Sequence, residues 1–165
     1  MTLTMAAALA MCGSFLAGGC LAAWYVAPWL KARPWPEALT PLLAVHLLRH
    51  VALQLVSAQR FGFVISNAGR DRILYGDLVG FTLALLALVA IRANSFLWKP
   101  IVWIFIAATV VDLGSALAVG MQENLFERAS GVSWLILTFY VPVLWLTIGL
   151  IVWQLAMRGR RTSIA

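Results

Sequence analysis

The chain has 165 residues, 63% of them hydrophobic and 11% charged, with a mean hydropathy of +0.93 and a formal net charge of +6. Such a balance excludes an ordinary soluble globular domain. The basic excess does not point to nucleic acid, because its placement along the chain follows membrane topology instead.

Five apolar stretches, near residues 5–30, 39–59, 73–92, 100–120 and 132–157, each reach the roughly 20 residues that an α-helix needs to cross a bilayer. Lipid cannot satisfy backbone hydrogen bonds, and these stretches lack the alternation of barrel strands, so helices are expected. The predicted fold is all-α: one polytopic membrane helical bundle over residues 1–165 with five transmembrane helices. Lys31, Arg33, Arg92, Lys99, Arg158, Arg160 and Arg161 then share one side, and Arg60, Arg70, Arg72 and Arg128 the other. The positive-inside rule puts the C-terminus in the cytoplasm and the N-terminus outside.

The first stretch contains MTLTMAAALAMCGSFLAGGC, which resembles a signal segment ending at Cys20. No Lys or Arg precedes Lys31, and the apolar run continues through LAAWYVAPWL, so a retained helix is expected. With no charge at its outer end, a four-span arrangement is the alternative. Cys12 and Cys20 are separated by roughly 12 Å along a helix, too far for a disulfide between them. Gly13, Ser14, Ala17 and Gly18 form small-xxx-small pairs that suit close helix contact, either inside the bundle or with another protomer or a larger complex.

KARPWPEALTP, with Pro34, Pro36 and Pro41, reads as the link to the second span. That span carries VHLLRHVALQ, residues 45–54. At about 100° per residue, His46, Arg49, His50, Leu53, Gln54 and Ser57 fall on one stripe. A mid-span arginine costs roughly 2.5–3.5 kcal/mol to insert, so it should face inward and meet an acid. RFGFVISNAGRDR leads to the third span, where Asp77 is flanked by Tyr75, Gly76 and Gly80. RANSFLWKP leads to the fourth, where Thr109, Asp112 and Ser115 share a face. MQENLFERASG leads to the fifth, which offers Tyr140 next to Pro142, a residue that removes the bond to the Thr138 carbonyl and favours a kink. The eight tryptophans lie mostly toward span ends, as interfacial anchors do.

Asp77 and Asp112 are the acids expected within the membrane, in its outer half, with Arg49 within reach of Asp112 and plausibly of Asp77. The expected ligand contacts are His46, Arg49, His50 and Gln54 on span two, Tyr75 and Asp77 on span three, Asp112 on span four and Tyr140 on span five. The HLLRH spacing sets two imidazoles at i and i+4, but two histidines do not complete a metal shell. No metal is therefore expected, His46 and His50 being the candidates if one binds, and bis-histidine haem would need a dimer. The sequence specifies no cofactor.

Three patches, HLLRHVAL, RILYGDLVGFTLALLALVAIR and VWIFIAATVVDLGSALAVG followed by TFYVPVLW, resemble an uncharacterised family of small multi-span bacterial membrane proteins over about residues 44–150. The resemblance implies a bacterial inner-membrane location and brings no activity. The leading functional expectation is a polar intramembrane cavity that binds a small or amphipathic ligand, with proton- or cation-linked transport as its extension. The alternatives are a membrane enzyme using His50 with Asp77 or Asp112 on a lipid, and an accessory subunit. Expected partners are membrane lipids, a small or lipidic ligand, and a homo-oligomer or larger complex through the first helix.

Overall fold

A computed structural model describes residues 2–159. Arg160 and Arg161 of the topology argument lie outside the described residues, as does the side chain of Arg158. Among the described residues the chain is helical and has no strand. Five helices are long and apolar enough to cross a membrane: α1 Leu3–Lys31, α2 Trp35–Arg60, α3 Asn67–Arg92, α4 Trp98–Gln122 and α5 Gly131–Met157. A single helical turn, Leu125–Arg128, precedes α5.

The link expected between the first two spans is largely helix. Pro34 caps α2 and Pro36 sits in its first turn, where a missing N–H costs nothing. Pro41 lies inside the helix. The other connections are short for local reasons: Gly62, Asn94 and Asn124 adopt left-handed φ angles of 94°, 49° and 53° just past α2, α3 and α4, which stops each helix. Ser66 caps α3 by accepting from Gly69 N at 2.9 Å.

Three of the long helices depart from α geometry within their length. Ala22–Val26 and Ile136–Tyr140 are π turns, closed by bonds from Ala27 N to Ala22 O and from Val141 N to Ile136 O. Each widened turn ends two residues before a proline, Pro28 or Pro142, whose ring cannot fit the ordinary ladder. In α2, residues Leu47–Leu53 form a 3-10 helix, unusually long for that geometry.

The bundle packs α3 against α2 and α4, and α5 against α2. Its dry core, including Leu39, Leu43, Ala87, Phe105 and Ile151, fills the end that carries the α1–α2 and α3–α4 connections, called here the Trp98 end. That end is rimmed by a Trp35–Trp98 edge contact at 5.2 Å and by Lys99 over Trp35 at 4.8 Å. Helix α1 is peripheral: 6% of its apolar window is buried, against 39% for α2. Gly18 faces inward, where an added Cβ would sit 2.6 Å from Leu146 Cδ1, so this half of the small-residue pattern serves α5.

Candidate functional site

The 3-10 turn decides which side chains of α2 meet the interior. At three residues per turn, His46, Arg49, Ala52 and Leu55 eclipse one another, and these four are buried. The stripe expected from α geometry is therefore split. His50, Leu53 and Ser57 face outward, and the His50 ring Nδ1 lies 2.7 Å from the Leu47 carbonyl oxygen. The i, i+4 imidazole pair is thus not assembled, and His50 is not brought to either acid. Among the described residues, no three side chains of metal-ligating type cluster.

Arg49 has no exposed surface, although it is the largest fully buried side chain. Its guanidinium donates from Nε to Asp77 Oδ1 at 2.7 Å, from Nη1 to Thr109 Oγ1 at 3.3 Å, and from Nη2 to Asp112 Oδ2. One cation from α2 thus bridges carboxylates from α3 and α4. The rigid fork of arginine suits this double role better than a lysine point charge would.

Two glycines on α3 make room for the bridge. A Cβ at Gly76 would overlap Asp112 Oδ1, and one at Gly80 would overlap Arg49 Nη1. Both are spaced one turn apart on the face that meets the charged side chains, so α3 can close on them. The remaining carboxylate oxygens, Asp77 Oδ2 and Asp112 Oδ1, have no hydrogen-bond donor among the described residues. With all three groups ionised, the triad carries one net negative charge.

The triad forms one wall of a cavity of about 100 Å³ enclosed by α2, α3, α4 and α5. That volume holds several waters or a small polar head. Gln54, Ser133 and Tyr140 supply the other polar lining, while Leu113, Leu117, Ile136 and Leu144 are among the apolar wall residues. Gln54 Nε2 donates to Ser133 Oγ at 3.0 Å, and the Tyr140 hydroxyl donates to the Val45 carbonyl at 3.0 Å. Phe63 and Leu125, from the connections at the opposite end of the bundle, close the far side.

Residues 6–156 match the model of a domain of unknown function, DUF8737. The chain belongs to this family. The match takes in the whole triad and its glycines, and it agrees with the resemblance read from the sequence patches. No curated protein and no solved structure matches the chain.

Of the expected contacts, Arg49, Gln54, Asp77, Asp112 and Tyr140 come together at this cavity. Tyr75 lies 64% exposed on the far side of α3. His46 is buried elsewhere, with its ring edge on Phe105 at 4.8 Å and Nε2 3.0 Å from Thr147 Oγ1. The Thr147 hydroxyl also lies 2.9 Å from the Val143 and Leu144 carbonyls. His46 Nδ1 is buried without a hydrogen-bond partner among the described residues.

Sequence reasoning missed Ser133 and Thr147. Both lie on α5, a mostly apolar helix, and their partners on α2 become apparent only when the helices pack. At the end opposite Trp98, Ser66 bonds Glu123 through its hydroxyl and, at 3.2 Å, its N–H, tying the start of α3 to the end of α4. These two donors, the hydroxyl first, hold the Glu123 carboxyl below the ordinary glutamate range.

Proposed function

We propose that this is a multi-pass membrane protein whose cavity binds the cationic, hydrogen-bond-donating head of a small amphipathic ligand. The observation that carries the reading is the sharing at Arg49: two carboxylates divide one guanidinium, and each keeps an oxygen without a donor among the described residues, Arg72 acting on Asp112 from a distance without a bond to it. Excess charge in a low-dielectric interior calls for a proton or a cation. An ammonium supplies one positive charge and three donors, while the apolar wall accommodates hydrocarbon.

Membrane insertion is supported by the outward faces of the helices, where Leu16, Val89 and Val111 are 71%, 57% and 69% exposed. Such apolar surface suits lipid and would be a liability in water. The proposed location is a bacterial inner membrane, with the Trp98 end cytoplasmic, because Lys31, Arg33, Arg92 and Lys99 lie at that end and Arg158, Arg160 and Arg161 follow in the sequence where α5 finishes there, against Arg60, Arg70, Arg72 and Arg128 for the other end.

The test is binding of a long-chain alkylamine to the purified protein, compared with the alcohol and the sulfate of equal chain length. The amine is expected to bind best, and Asp77→Asn and Asp112→Asn to weaken it roughly tenfold each, about 1.4 kcal/mol. Equal binding of amine and alcohol would show that the acids do not recognise the head, and the reading would fail.

A further inference from the structure

Asp112 lines a second space. On the outward face of the bundle, a groove between α3 and α4 is bordered by Arg72, Tyr75, Gly76 and Val79 on one helix and by Ala107, Ala108, Val111 and Ser115 on the other, with Asp112 at its base. Among the described residues, Asp112 is the one side chain that borders both this groove and the internal cavity. Its Oδ2 is held by Arg49 from within, whereas Oδ1 points at the missing side chain of Gly76. Where the two spaces come together, they share a carboxylate set against a glycine.

The groove has a direction. Because α3 and α4 are antiparallel, Arg72 and Ser115 lie toward the Glu123 end, while Val79, Ala107 and Ala108 lie deeper. Arg72 to Val79 spans roughly 10 Å of helix. The deep part is apolar and the mouth carries a guanidinium, which opposes a hydrated cation arriving from water. A hydrophobic tail lying along Val79 and Ala108 would bring its head to the level of Gly76, where Asp112 Oδ1 is free.

We propose that this groove is a lateral portal, through which the ammonium head of a membrane-dissolved amine reaches Asp112 and then the cavity. The inference rests on the reading of the cavity as a cation-head site, and it adds the route and the substrate class: an amine that partitions into the bilayer. Passage requires that Asp112 exchange its bond to Arg49 for one to the ammonium, with Arg49 retained by Asp77.

The experiment reconstitutes the full chain in liposomes and compares a membrane-soluble carbodiimide with a water-soluble one, mapping the modified carboxyl by peptide mass. Asp112 is expected to react with the membrane-soluble reagent. Ala108→Trp, which fills the groove without touching the cavity, is expected to slow the reaction roughly tenfold, equivalent to about 1.4 kcal/mol of added barrier. Val111→Trp, at a groove-lining position 69% exposed, gives a second plug where a large side chain disturbs less packing, and covers a folding failure of the first variant. An unreactive Asp112, an unchanged rate in both plugged variants, or faster labelling by the water-soluble reagent overturns the portal. Protection by a long-chain alkylamine is the further expected result. If labelling follows the groove but the alkylamine gives no protection, the access route stands and the amine reading of the cavity falls.

Discussion

Gly80→Ala puts one methyl group against the buried guanidinium. The new Cβ would overlap Arg49 Nη1 and lie 2.5 Å from its Cζ and 3.0 Å from its Nε. Arg49 has no exposed surface and is anchored by acids on two other helices, so it cannot swing aside without releasing one of them. Replacing glycine by alanine inside a helix ordinarily stabilises by about 1 kcal/mol. Breaking a buried ion pair by displacing one member costs about 3–5 kcal/mol. The steric effect wins, and Gly80→Ala is expected to destabilise by about 2–4 kcal/mol, or roughly 5–15 °C in Tm for a chain of this size. Gly114, which has nothing within 4 Å of a Cβ, is the control: Gly114→Ala is expected to hold or raise the Tm. Thermal unfolding of the purified variants measures both. In an Arg49→Leu background the clash is gone, so Gly80→Ala there should be neutral or stabilising, and the two changes should couple strongly. A Gly80→Ala protein as stable as Gly114→Ala would refute the reasoning, because Arg49 would then have room that the packing denies it.

Two further outcomes separate stability from recognition. Arg49→Met alone leaves two facing carboxylates and is expected to cost about 3–5 kcal/mol, whereas the triple variant with Asp77→Asn and Asp112→Asn should recover most of that while losing alkylamine binding; melting curves and amine titrations on the same samples check it. At the end opposite Trp98, the Glu123 pKa is depressed by its bonds from Ser66, so its stabilising contribution is present above the ordinary glutamate value and lost as pH falls through the lowered folded value. Melting temperature against pH should therefore fall less steeply on the acid side for Glu123→Gln than for the native chain, and parallel curves would rule the contribution out.

The helices were legible because hydropathy over about 20 residues is a strong signal, and the Arg49–Asp112 contact followed from depth along antiparallel helices. Gly76 and Gly80 were visible as small residues, but their purpose was not, since it depends on side chains arriving from α2 and α4. The phase of α2 was the main error. VHLLRHVALQ contains no glycine or proline to announce a change of helix type, so α periodicity assigned His50 to the polar stripe. The 3-10 geometry instead repeats His46, Arg49, Ala52 and Leu55 every three residues, aligning two polar groups and two small or apolar ones with the interior. The π turn before Pro142 shows the opposite case: the proline signalled a disturbed ladder, and the structure resolves it as a wider turn that still carries Tyr140 to the Val45 carbonyl.

The composition of the triad is what favours the proposed binding site over a register pin. A single arginine and a single acid fix helix positions and are neutral, and adding a second acid brings like charge into the same interior at a cost. Here the second acid is accommodated with care: α3 gives up two side chains, at Gly76 and Gly80, to admit the cluster, and Thr109 supports the guanidinium from α4. If the role were packing alone, asparagine at either acidic position would keep a hydrogen bond to Arg49 without the surplus charge. The surplus instead leaves the triad able to exist in two neutral forms, one holding a proton and one holding a cation, both using the same two free oxygens. Such a triad suits the proposed cation head, and the proposed portal beside Asp112 would give that head a path that does not cross the hydrophobic core at the Trp98 end.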